Sequence, residues 1–220
     1  MILLYLLFIL TGPFAGYMAA WLAHQWPTET HDASTQNGHD RWFFAAGAFA
    51  GLLVALSAYA FAPAGTFILS CLFGWTLLAL ATTDLKHYIL PDPLNLTAAG
   101  LGLIMIWLTQ SASWAEHLIG GLAGFGVLFA VEVSYRLLRG QEGLGRGDAK
   151  LLGALGLWVG WTRLPDILLV ASLTGLFAVL AVRCIGGPRL NRTSAVAFGP
   201  WLALAGWVAW LSGPLLVPAP

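Results

Sequence analysis

Gly143-Leu144-Gly145-Arg146-Gly147-Asp148-Ala149-Lys150 is a glycine-rich, charge-bearing break between two strongly apolar runs. It delivers one carboxylate, Asp148, to the mouth of a helix. A second carboxylate, Asp84, stands at the opposite kind of boundary, where the apolar run Leu77-Leu78-Ala79-Leu80-Ala81-Thr82-Thr83 ends. The stretch makes sense only if the flanking runs lie in lipid, and the rest of the chain agrees. Of 220 residues, 59% are hydrophobic and 9% charged, whereas a soluble domain carries roughly 25% charged residues. Eleven Trp and twenty-six Gly suit bilayer interfaces and membrane helices. The composition therefore predicts an all-α polytopic membrane protein, and a net charge of zero argues against nucleic acid as a partner.

Apolar runs separated by polar or Pro/Gly punctuation place about eight spans, near 2–23, 43–62, 66–83, 94–109, 117–138, 149–161, 164–182 and 198–216. The first is read as a membrane span rather than a signal peptide, because it lacks a cationic start and is too long for an h-region. Period-two alternation is absent, and open sheet edges do not survive in lipid. With eight spans, one side holds Arg41, Lys86, Arg136, Arg139, Arg146, Lys150, Arg183, Arg189 and Arg192, and the other holds only Arg163. That bias puts both termini on the non-cytoplasmic side and both Asp84 and Asp148 at the cytoplasmic face.

Several polar residues have ordinary structural explanations. Residues 24–42 carry His24, Glu29, His31, Asp32, His39 and Asp40, but histidine spacings of seven and eight match no common ligand pattern. A solvated loop without metal is expected there. Cys71 and Cys184, far apart and in or beside apolar runs, read as small buried hydrophobes. Asp92 before Pro93 reads as a helix start, and Asp166 as a first-turn acid. Glu132 is expected to pair with Arg136 one turn on, and it is also a candidate for contact with a basic substrate segment. Gly47/Gly51, Gly120/Gly124 and Gly156/Gly160 have the small-x-x-x-small spacing of closely packed helices.

Asp84 breaks its local rule, since an anion at a helix C-terminus meets the negative end of the dipole. Lys86 is the nearest cation able to curl back, and it too is a candidate substrate contact. Gly145 and Gly147 allow positive φ and close backbone approach, so an extended peptide has room beside Asp148. Lys150, one helical step beyond, is the third supporting residue. Two carboxylates on one membrane face suggest an aspartyl-protease dyad sharing one proton. The helix ends favour the anion on Asp148 and the acid on Asp84.

At these residues the chain resembles the type IV prepilin peptidases, membrane aspartyl proteases of the GxGD class. Thr83-Asp84-Leu85-Lys86-His87-Tyr88-Ile89-Leu90-Pro91-Asp92 is similar to the family's first aspartate motif, and Glu142 through Gly156 to the second. Ala197-Phe198-Gly199-Pro200-Trp201-Leu202-Ala203 is similar to the segment that opens the family's last helix. The likeness covers roughly residues 43–217. It implies an endopeptidase in the bacterial inner membrane, active on the cytoplasmic side, with no cofactor or metal for proteolysis. The implied partners are prepilin or pseudopilin precursors, cut after the Gly that ends a short basic leader and before a hydrophobic helix. The systems served would be type IV pili, type II secretion or competence. The departure is at the start: bifunctional members carry a cysteine-rich insert between the first two spans, tied to zinc and N-methylation. Residues 25–41 hold no cysteine. The resemblance therefore implies a first span and short loop over 1–42, a peptidase core over 43–220, and no methyltransferase activity. Alternatives are another GxGD processing peptidase, of preflagellin or Tad type, or a small ion-coupled transporter.

Overall fold

The computed structural model describes residues 2–26, 40–63, 65–109, 113–140, 145–184 and 197–212. Eight α-helices follow one another: α1 (Ile2–Gln25), α2 (Asp40–Phe61), α3 (Phe67–His87), α4 (Asp92–Thr109), α5 (Trp114–Arg139), α6 (Arg146–Val159), α7 (Leu164–Cys184) and α8 (Gly199–Ser212). A single 3₁₀ turn, Trp161–Arg163, joins α6 to α7. Among the described residues there is no strand, as the missing period-two pattern leads one to expect. The breaks are chemically explicit. Gly140 (φ +65°) and Gly160 (φ +80°) terminate α5 and α6 in conformations that disfavour a Cβ.

Six helices are long and apolar enough to cross a bilayer: α1 to α5, and α7 with the 3₁₀ turn before it. The expected sixth and eighth spans are the short ones among the described residues. α6 and α8 are 14 residues each, about 21 Å at 1.5 Å per residue, against a hydrocarbon core of about 30 Å. The shortness of α6 has a physical setting, because most of its surface meets protein. Leu151, Leu152, Ala154, Leu155 and Trp158 are all buried, with α4, α5 and α8 packed around them.

Trp158 centres this arrangement. Fully buried, it stacks on Phe73 of α3 at 4.0 Å between ring centroids and meets Trp210 of α8 edge-on at 5.0 Å. Its indole N–H donates to the Ala98 carbonyl of α4 at 2.9 Å, satisfying a donor that lipid cannot serve. α5 closes against α6 through glycine. A Cβ on Gly120 would lie 2.7 Å from the Gly160 carbonyl carbon, and one on Gly124 would lie 2.6 Å from the Leu152 carbonyl oxygen. Between α1 and α2 a Cβ on Gly16 would lie 2.8 Å from Gly51 Cα. The small-x-x-x-small pairs thus pack backbone on backbone, as their spacing predicts.

One expectation is corrected here and one lies out of reach. Cys71 is buried, but Cys184, the last residue of α7, is exposed. Most of the polar stretch at 24–42 lies outside the described residues. Among the described residues no group of three His, Cys, Asp or Glu side chains is placed to hold a metal ion.

The glycine seam predicts an asymmetric response on α5. Gly124→Leu should destabilise the chain by about 1–3 kcal/mol in chemical unfolding from detergent micelles. Gly126→Leu, two residues on, has nothing within 4 Å of its Cβ and should unfold with the wild type.

Candidate active site

Three helix ends converge on Leu90. Asp84 occupies the last turn of α3, whose C-cap is Tyr88 in the left-handed region at φ 57°, ψ 33°. The Tyr88 N–H donates to the Asp84 carbonyl at 2.8 Å. That reversal turns the chain sharply and carries Ile89, Leu90 and Pro91 back over the helix end. Leu90 is then buried between two glycines. A Cβ on Gly147 would lie 2.7 Å from Leu90 Cβ, and one on Gly199 would lie 2.9 Å from Leu90 Cδ2. So α3, the first turn of α6 and the first turn of α8 share one apolar contact, and each brings a polar group beside it.

Those polar groups are the two aspartates and one backbone amide. Asp84 is 5% exposed and Asp148 7%. The Gly199 N–H donates to Asp84 Oδ2 at 3.0 Å, and a Cβ on Gly199 would sit 2.7 Å from the same oxygen. Glycine is therefore required for the carboxylate to reach the start of α8. Asp148 stands in the first turn of α6, which is not among the membrane-crossing helices. Burial pushes its carboxyl up to about 7, the nearby Asp84 charge adds to the rise, and the Gly145 backbone pulls the other way. Its Oδ1 is buried without a hydrogen-bond partner among the described residues.

The two carboxylates therefore sense each other, and a third helix end bears on them besides those of α3 and α6. The N-terminus of α8, carrying a positive partial charge and free N–H groups, is directed at Asp84 and supplies the donor that α3 cannot. The charge is better served on Asp84 and the proton on Asp148.

The other expected site residues divide. Gly145 has φ −67°, and neither it nor Gly147 is among the positive-φ residues. Close approach, not backbone handedness, is what they provide: a Cβ on Gly145 would lie 3.1 Å from Asp148 Oδ2. Gly143 lies outside the described residues. Lys150 does not face the dyad. Its Nζ pairs with Asp92 Oδ1 at 2.6 Å, tying α6 to the start of α4. Lys86 does not curl back to Asp84 either, since its Nζ lies over the Phe43 ring of α2, 5.5 Å from the centroid. Glu132 has a partner that local spacing did not suggest: Arg146 Nε at 3.6 Å, nearer than Arg136 Nε at 4.0 Å. With its side chain 1% exposed, Glu132 ties α5 to the residue two before Asp148 and is not open to a substrate segment. Gly199 and Leu90 were missed as site residues, although the Phe198-Gly199-Pro200 segment was itself a visible signal.

An eight-helix bundle that buries two interacting carboxylates at one end defines a helical membrane protein with a two-aspartate centre. The chain belongs to the type IV leader peptidase family, whose model matches residues 71–180 and so takes in both aspartates. It is similar to a prepilin leader peptidase/N-methyltransferase of Aeromonas hydrophila, 40% identical over 162 residues, covering 74% of this chain and 55% of that protein. A protein of the same name from Pseudomonas aeruginosa is 41% identical over 142 residues, covering 64% and 48%. One from Dichelobacter nodosus is 37% identical over 141 residues, covering 64% and 47%. The chain spans about half the length of the curated relatives it matches. No solved structure matches it.

The raised Asp148 carboxyl has a stability consequence with a definite sign. Between its ordinary value of 3.8 and about 7, the folded chain holds a proton that the unfolded chain releases, so raising the pH favours unfolding. Thermal unfolding in detergent should show stability falling from about pH 4 to about pH 7. Asp148→Asn should remove most of that slope.

Proposed function

We propose that this chain is an aspartyl endopeptidase that removes the short basic leader from type IV prepilin or pseudopilin precursors at the cytoplasmic face of the bacterial inner membrane. The observation that carries the reading is the pair of buried carboxylates, one hydrogen-bonded by the Gly199 N–H and the other raised by burial and by its neighbour's charge. The lysine and arginine bias supports the orientation, and the family supports the substrate class. The same geometry supports catalysis by Asp84 and Asp148, with Gly145, Gly147 and Gly199 shaping the space around them.

In this mechanism water lies between the carboxylates. Asp84, as the anion, takes a proton from the water as its oxygen attacks the scissile carbonyl after the leader's terminal Gly. Asp148, as the acid, gives its proton to the carbonyl oxygen, forming a tetrahedral diol. The amide nitrogen then receives the proton held by Asp84, and a diol hydroxyl returns its proton to Asp148. The C–N bond breaks, leaving a leader carboxylic acid and a new amine on the apolar helix. Both acids lie in terminal turns of their helices, which suits a bond at the membrane surface better than ion passage across the midplane.

Co-expression with a prepilin tests this by leader removal on gels and by mass. Asp84→Asn and Asp148→Asn should each lower the cleavage rate by about a hundredfold or more. Normal cleavage by either variant would remove the dyad.

We assign the peptidase core to 43–220 and the first helix with its short loop to 1–42, where the residues between α1 and α2 include no cysteine. From this we infer that the chain does not methylate the new amine. Incubating the purified chain with cleaved pilin and radiolabelled S-adenosylmethionine should leave the pilin unlabelled, and label above a no-enzyme control would overturn the inference.

A further inference from the structure

On the face of α6 turned away from the dyad, a cavity of about 530 Å³ opens between α4 and α5. Both helices pack on α6 but scarcely on each other. The floor is small, Gly153 and Ala154 of α6 with Gly121 of α5, and the walls are leucines. Leu96 (72% exposed), Leu103 (50%) and Leu122 (77%) stand at its open side, so it faces lipid. From Asp92 to Leu103 it follows α4 for about 16 Å at 1.5 Å per residue, enough for three turns of an apolar helix.

One end of the groove is not apolar. Asp92 and Lys150 form its rim, and one turn inside lies Asn95. Asn95 is 3% exposed, and neither its Oδ1 nor its Nδ2 has a hydrogen-bond partner among the described residues. A buried amide with both functions unmet is costly, and nothing in the leucine walls answers it. The N-terminal turn of a helix does. Its first N–H groups have no internal partner, so one can donate to Asn95 Oδ1. Its positive dipole end also suits the Asp92 carboxylate at the rim. A lipid tail brings no donor to that depth.

We propose that the α4–α5 groove receives the apolar helix of the precursor, N-terminus toward Asn95, and so sets which bond reaches the aspartates. The proposal rests on the peptidase reading. Asp148 and Lys150 are two residues apart on α6 and so lie about 200° apart around its axis. A chain leaving the docked helix therefore passes the exposed, side-chain-free Gly145 to reach the dyad. The path is about one helix diameter, 10 Å, or about three extended residues.

The test uses the full chain in membranes, with Asp84→Asn to hold the precursor uncut. Benzoylphenylalanine replaces Leu103, Leu122 or, as an outward-facing control on α7, Phe177 (75% exposed). Photolysis should join the precursor's apolar segment to positions 103 and 122 at a yield about tenfold above position 177, a ratio equivalent to about 1.4 kcal/mol of preference. In a second arm, Asn95→Leu should lower kcat/KM for the full precursor about tenfold more than for a shortened precursor that keeps the scissile bond but only the first few residues of the apolar segment. Equal crosslinking at all three positions, or phospholipid adducts alone at 103 and 122, would overturn the groove while wild-type cleavage left the peptidase intact. If the wild type cleaves no precursor, the peptidase reading falls and the groove's assignment falls with it.

Discussion

The rest of the structure depends on the backbone-to-backbone contact between α5 and α6. A helix of 14 residues cannot cross a bilayer alone, and lipid offers nothing to its ends. α6 lies inside the bundle because Gly120 and Gly124 let α5 approach it without intervening side chains. Trp158, held by Phe73, Ala98 and Trp210, fixes its far end in rotation and depth. Asp148 is placed by that rotation. With seam and tryptophan in register, one face of α6 presents the carboxylate toward α3 and α8, and the opposite face forms a groove.

Burial of two carboxylates in such a frame calls for local relief, which comes from the chain itself. The start of α8 gives Asp84 a hydrogen bond that the end of α3 has no means to provide. Asp148 receives less, and its carboxyl rises accordingly. Burial and the neighbouring charge lift the Asp148 carboxyl, while the Gly199 amide is given to Asp84, and that is how two chemically identical side chains come to differ. Around them the ion pairs act as struts: Lys150 to Asp92 joins α6 to α4, and Glu132 to Arg146 joins α5 to the residues leading into Asp148. The first is substantially exposed and contributes little energy, so its value is in direction.

The helical class, the helix order, the glycine packing and both aspartates could be read from sequence because each has a local signature: apolar length, punctuation, small-residue spacing, and acids at helix boundaries. Contacts between segments remote in sequence had no such signature. Nothing local to Asp84 tells that an amide 115 residues later will bond it. Four-residue spacing pairs Glu132 with Arg136 within α5, whereas Arg146 reaches it from the first turn of α6. Which apolar stretches meet lipid is not local either, since hydropathy measures apolarity but not whether the neighbour is lipid or protein, and most of α6 is packed against protein.

Tyr88 shows what that geometry costs. A bulky residue in the left-handed region is disfavoured by about 1–2 kcal/mol, and glycine would hold the same turn without penalty. The turn that lays Leu90 across the three helix ends is thus a place where the chain forgoes stability. An engineer seeking a sturdier version would be drawn to this position, since relieving backbone strain is an ordinary route to stabilisation. Here the substitution would also enlarge the set of conformations open to the segment joining Asp84 to Leu90. Robustness and exactness of placement are set against each other at one residue.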